Sequence, residues 1–310
     1  VKLRVVLFQA GAARYFAPVT DYLAAHHGVE VSFYGTAVAR DALMPRACDL
    51  VPDDIYGLAK GCDILCVSAT GDPREGALVR EAKSQGTPSI QAIDTAYNYA
   101  QRFAPDCEWP ARLLVINQRA ADEAHEEGVP KSLMLPTGHP AWEAARSLAP
   151  ARPGTVLFID QPLLQLLGPQ SDVSETASFT ALRSVCAHSN GRWMPPMVCL
   201  HPERRGASPY NASCVSAQEG MRLAELVVGI HSSLMVDAFV GGRSVVSVQL
   251  GAPTMNRDLL SRWGLVPLAS SEDGLPAAIE AASLARKGQI NPFLGSTERT
   301  AQAILSCARE

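Results

Sequence analysis

The feature that most constrains this chain of 310 residues is a rhythm. Short runs of Val, Ile and Leu alternate with stretches whose apolar residues recur at helical spacing. In the first half the runs are LRVVLFQ (3–9), VEVSFYG (29–35), DILCVSA (63–69), PSIQAID (88–94) and RLLVINQ (112–118). Among them lie APVTDYLAAHH, REGALVREAKSQ and QRAADEAHEEG, and Gly or Pro marks most joins. Such alternation predicts a parallel sheet with helices on both faces. At LAPARPG (148–154) the periodicity stops, and two prolines and a glycine read as a linker. The rhythm restarts with TVLFIDQ (155–161), MVCLHP (197–202), ASCVSA (212–217), LVVGI (226–230) and SVVSVQL (244–250). The sequence therefore predicts an α/β protein of two doubly wound domains, 1–149 and 150–310, facing a cleft. The closing helix, TERTAQAILSCAR, is expected to be able to cross back onto the first domain.

Composition and missing motifs narrow the function. The chain is 47% hydrophobic and 19% charged, with a net charge of −4, so no nucleic-acid partner is expected. No apolar run approaches the roughly 18 residues that span a bilayer. The opening VKLRVVLFQAG reads as a core strand, and the expected location is cytoplasmic. Eight cysteines include no CxxC pair, which argues against structural zinc. Cys66 and Cys199 fall inside apolar runs, where a reduced thiol acts as a small hydrophobe. The first run is followed by GAARYF rather than GxGxxG, and no GxxxxGK[ST] occurs. The layout is Rossmann-like without a nicotinamide or P-loop signature, and no cofactor is expected.

Ligands of open α/β sheets bind beyond the carboxyl ends of the strands, so the residues there carry the argument. In VCLHPERRG (198–206), His201, Arg204 and Arg205 follow a strand. Imidazole and guanidinium groups can bind a phosphate, and the same residues can also form a solvated turn. In GIHSSLMVDAF, Ser232 or Ser233 can cap the next helix, and the same helix end can hold an anion. In QAIDTAYNYAQRF, Asp94 closes a strand and Tyr97 follows. Asp94 is either a helix cap or a general base. Gly11, Ser68 and Thr70 follow two other strands of the first half and are candidate acceptor contacts. His139-Pro140 reads as a turn near the linker, and Glu225 as a solvated helix end.

These residues carry a resemblance. VLFIDQP (156–162), His201-Pro202 and the Ser-Ser of GIHSSLMVDAFVGG resemble the nucleotide-sugar half of GT-B glycosyltransferases. They are similar to bacterial sialyltransferases, polysialyltransferases and capsule-type carbohydrate enzymes. The segment VINQRAADEAHEEGVPKSLMLPTGHP (115–140) is similar to the corresponding stretch of glycerophosphotransferases and nucleotide-sugar 2-epimerases. The resemblance implies a GT-B-like fold with a nucleotide-sugar donor and a hydroxyl-bearing acceptor. It gives His201, Ser232 and Ser233 the donor phosphate and favours CMP over UDP. Arg204 and Arg205 would assist, Asp94 would act as base, and no metal motif stands at a cleft position. The Asp/Glu-Asp/Glu-Gly motif that supplies the base in those sialyltransferases is matched only by Glu272-Asp273-Gly274, which reads as a helix start. A 2-epimerase or hydrolase of the same fold is one alternative. A non-catalytic binding subunit of a carbohydrate-assembly complex is another.

Overall fold

The computed structural model describes residues 1–96, 98–103, 107–143, 148–163, 172–201, 204, 207–251, 256, 258–285 and 291–308. The chain divides into two compact units, Val1–Ala144 with Pro292–Glu310, and Ala145–Asn291.

The first unit is built on a parallel sheet of seven strands. They are β1 (Lys2–Leu7), β2 (Glu30–Gly35), β3 (Asp49–Leu50), β4 (Ile64–Ser68), β5 (Ser89–Ala92), β6 (Arg112–Val115) and β7 (Met134–Pro136), in the order β3-β2-β1-β4-β5-β6-β7. Every residue of β4 and β5 is buried, which is why these strands are apolar runs and not alternating patterns. The helices are α1 (Ala10–His27), α2 (Ala37–Leu43), α3 (Pro73–Ser84), α4 (Gln118–Glu126) and α5 (Pro140–Glu143). The closing helix of the chain also belongs to this unit. Ala301, Ile304 and Cys307 of that helix enter one core with Ala12, Tyr15, Phe16, Val19 and Leu23 of α1. Its start has no capping side chain of its own. Glu143 of α5 supplies the cap, accepting from the Thr297 N–H at 2.6 Å and from the Gly295 N–H.

The second unit carries a parallel sheet of five strands. They are β8 (Val156–Ile159), β9 (Met197–Cys199), β10 (Leu226–Gly229), β11 (Ser244–Val248) and β12 (Leu268–Ala269), in the order β12-β11-β10-β8-β9. Its helices are α6 (Glu175–Ala187), α7 (Ala217–Leu223), α8 (Ser233–Val240), α9 (Leu259–Arg262) and α10 (Leu275–Ala285), and the chain closes with α11 (Ser296–Cys307) in the first unit. The linker is fixed to this unit by Arg243, a buried guanidinium that donates to the carbonyls of Ala149 (2.7 Å), Met221 and Arg222. The last two are carbonyls at the C-terminal end of α7, where a cation is favoured.

Local sequence accounts for most helix starts. Thr36, Asp72, Asn117, Ser174, Ser216, Ser232 and Asp258 each accept a backbone N–H at a helix N-terminus. One expected strand is absent: of ASCVSA, only Cys214 forms an isolated parallel bridge, to Val198. Three strands were not expected from the sequence. They are β3, β7 and β12, each two or three residues long, too short for a periodic signal. Among the described residues, no helix is long and apolar enough to cross a membrane.

Candidate functional site

In the second unit the strand order reverses at β8, between β9 and β10, and such a reversal opens a crevice beyond the strand ends. A cavity of about 340 Å³ lies there, lined by Asp160, His201, Ser216, Ser232 and Leu234, with apolar walls from Ile159, Leu200 and Val215. Ser232 caps α8, its hydroxyl accepting the Leu234 N–H at 3.2 Å. The cavity thus meets the N-terminus of α8, where unsatisfied amides and the helix dipole favour an anion. His201 and Ser232, picked from separate motifs, come together on one cavity. Ser233 does not join them: it is the exposed first residue of α8. Arg205 and Pro202 lie outside the described residues.

Arg204 requires a correction. Its side chain is only 7% exposed and turns inward, away from the role of phosphate clamp. Its Nε donates to Asp160 Oδ2 at 2.5 Å, and its NH2 group donates to Asp160 Oδ1, Glu175 Oε1 (3.1 Å) and Tyr210 (3.4 Å). Asp160, fully buried at the end of β8, draws these groups in. Tyr210 donates to Asp160 at 2.5 Å, and burial, with this contact next, pushes the phenol well above its ordinary range. A buried carboxylate needs such partners, because an uncompensated charge in the core costs several kcal/mol. A neighbouring pair spans β8 and β10. Gln161 Oε1 accepts the His231 N–H at 2.9 Å, so its amide faces His231 Nδ1 at 3.2 Å, which leaves the imidazole proton on Nε2. Sequence reasoning missed Asp160 and Gln161, although both sat in the quoted VLFIDQP; polar residues ending an apolar run were the available signal.

The first unit places Asp94 just beyond β5 with a side chain 9% exposed. Burial raises its pKa, and Arg102, whose NH1 stands 3.7 Å from Oδ1, partly offsets the rise. Gly11 lies in the first turn of α1, and a Cβ there would overlap Asp94 Oδ2. Only glycine lets the carboxylate come this close to the helix start. His139, 5% exposed, lies beside the backbone carbonyl of Asp94, stacked on Trp142 at 3.7 Å between ring centroids and edge-on to Tyr15. Burial lowers the pKa of His139 to about 3, so the ring is neutral. Sequence reading took this residue for a turn.

Ser68 and Thr70 also require correction. Both hydroxyls donate to Glu75 Oε1, at 2.6 and 2.8 Å, while the N–H groups of Thr70 and Gly71 donate to Oε2. Glu75 is buried in the first turn of α3 and organises the loop around itself, so the one proton of each hydroxyl is committed to it and not to an acceptor. Tyr97 lies outside the described residues. Glu225 ties down the linker end through the Gly154 N–H at 2.7 Å, and Glu272-Asp273-Gly274 directly precedes α10, as expected of a helix start.

No family profile matches the chain, and no curated protein resembles it in sequence. Solved structures do. A UDP-GlcNAc 2-epimerase from Neisseria meningitidis, bound to UDP-GlcNAc, superposes with a TM-score of 0.66 at 13% identity, covering 99% of each chain. A putative UDP-N-acetylglucosamine 2-epimerase from Listeria monocytogenes gives 0.70 at 14% identity, over 99% of this chain and 96% of that one. The glycotransferase of kitacinnamycin gives 0.64 at 15% identity, over 99% and 98%. At these identities the likeness establishes the fold. The chain has the two Rossmann-like α/β units of the GT-B fold, whose structural neighbours include UDP-sugar epimerases and glycosyltransferases.

Proposed function

We propose that this protein is a nucleotide-sugar enzyme that transfers a sugar from a UDP-linked donor to an acceptor hydroxyl. The observation that carries the reading is the cavity of the second unit, where His201 and the Ser232-capped start of α8 converge beyond β8 and β9. Charge developing on the departing phosphate is met there by the α8 amides and His201, with no metal in the scheme. Asp94 removes the acceptor proton. Its raised pKa makes it a stronger base than an exposed carboxylate. The sequence favoured CMP through the His-Pro motif. The neighbours whose names state a nucleotide state UDP, which supports uridine instead.

A second reading, 2-epimerisation of the same donor, is favoured by the names of two of those neighbours. Epimerisation needs proton removal and return at a carbon centre, on opposite faces of the sugar. Among the described residues of the first unit, Glu75 is committed to its loop and His139 to a neutral, buried stack, which favours transfer with Asp94 as the base. The test is incubation with UDP-sugars in D2O, with and without a panel of hydroxyl acceptors. Acceptor-dependent UDP release supports transfer, deuterium at C2 without UDP release supports epimerisation, and neither product refutes both. Thermal shift with UDP against CMP decides the base, since a ligand of the native state raises its stability.

A further inference from the structure

We infer that Asp160 and Arg204 are positioning residues that hold His201 at the wall of the cavity; this rests on the reading of that cavity as the donor site. The geometry holds the His201 backbone from both sides. Its N–H donates to Asp160 Oδ2 at 3.2 Å, and its carbonyl accepts the Arg204 N–H at 3.0 Å. The Arg204 side chain returns to the same carboxylate, closing a ring of contacts through His201, Arg204 and Asp160. Two outer groups keep the ring from turning. Tyr210 donates to Asp160, and Glu175 accepts from Arg204 while its other oxygen accepts the Leu163 N–H at 2.8 Å. Glu175 is the first residue of α6, a position where the helix dipole favours a carboxylate, so the second negative charge is accommodated.

Stability alone is a poor explanation for this cluster. Buried ion pairs replaced by apolar residues of similar volume commonly leave a fold as stable or more so. An apolar replacement, however, has no acceptor for the His201 N–H and no directional hold on the loop after β9. What the charged pair provides beyond packing is a fixed direction for His201. The alternative, Arg204 swinging out to clamp phosphate, would leave the fully buried Asp160 without its cation.

The experiment compares wild type with Asp160→Leu/Arg204→Met and with Tyr210→Phe, in the chain of 310 residues. Three quantities are read: melting temperature, UDP dissociation constant by calorimetry, and amide hydrogen exchange at His201. The double variant is expected to melt within a few degrees of wild type, exchange the His201 amide at least about tenfold faster and bind UDP about tenfold more weakly. Tyr210→Phe removes one hydrogen bond at nearly constant shape and is expected to show about threefold changes in the same two readouts. It decides the question if the double variant fails to fold. Unchanged exchange, or faster exchange with unaltered UDP affinity, overturns the inference. If wild type binds no UDP at millimolar concentration, the donor-site reading falls, and the exchange result still shows whether the pair holds His201.

Discussion

Asp94 and Asp160 stand in equivalent places, one residue or two beyond a buried core strand, yet their surroundings make them chemically different groups. Asp160 is fully buried and saturated: Arg204, Tyr210 and the His201 N–H all point at it. Asp94 retains 9% exposure, its guanidinium neighbour is 3.7 Å away, and burial raises its pKa. A carboxylate with its lone pairs filled is a strut. One with a distant cation and a raised pKa keeps proton affinity, which is why Asp94 is the carboxylate proposed as the base. The difference lies in the partners and not in the residue type.

The sharpest way to break this comparison is to make the same change at both places. Asp160→Asn leaves Arg204 without its main counter-charge and is expected to cost about 3–5 kcal/mol of stability by chemical denaturation. Asp94→Asn is expected to leave the melting temperature unchanged or higher, while kcat for transfer falls about a hundred- to ten-thousandfold. If the two variants behave alike, the distinction is wrong.

Next in size is the acid response of His139, the group beside the Asp94 carbonyl. Its pKa is depressed from 6.5 to about 3, so the folded state holds fewer protons than the unfolded state between those values. Its contribution to stability is present above pH 6.5 and is lost as pH falls towards 3, on the order of 5 kcal/mol in full. His139→Phe keeps the stack on Trp142 and is expected to flatten the stability profile over that window. An unchanged acid limb would count against a buried neutral imidazole.

Asp258 sharpens the contrast from a third position. It is buried, caps α9 through the Ser261 N–H at 2.8 Å, and has its pKa raised from 3.8 to about 6 by burial. A raised carboxyl pKa means that the folded state binds the proton more tightly. Stability therefore falls as pH rises from about 4 to 6, by on the order of 3 kcal/mol. Asp258→Asn, which keeps an oxygen for the cap, is expected to abolish that slope in pH-dependent unfolding.

The smallest effect is geometric. Gly11→Ala places a methyl group where Asp94 Oδ2 lies, so the carboxylate must move. About a tenfold loss of kcat is expected with little change in UDP affinity, in line with the cost of small misplacements of a reacting group. A fall in UDP affinity of the same size would show that the residue acts through something other than the base.

Much of this architecture was legible because its signals are local. LRVVLFQ and LVVGI announce buried strands through composition, and Ser232 announces a helix start through its hydroxyl. The positions of Asp94, His201 and Ser232 are fixed by where a strand ends or a helix begins. The ones that changed meaning did so through competition. Ser68 and Thr70 were taken by Glu75, and Arg204 by Asp160, 44 positions away in sequence. A guanidinium two residues past a His-Pro looks the same in sequence whether it faces a ligand or a buried carboxylate.

By itself, then, the sequence determined the periodicity, the order of most elements and the positions where polar residues meet strand ends, since each depends on a few neighbouring residues. Only the tertiary structure decided which of those polar groups remain available. It also brought Gly11 against Asp94, set His139 edge-on to Tyr15, and returned α11 to the core of α1. Those outcomes turn on which distant partner satisfies a buried charge or apolar face, and no local pattern of residues encodes that choice.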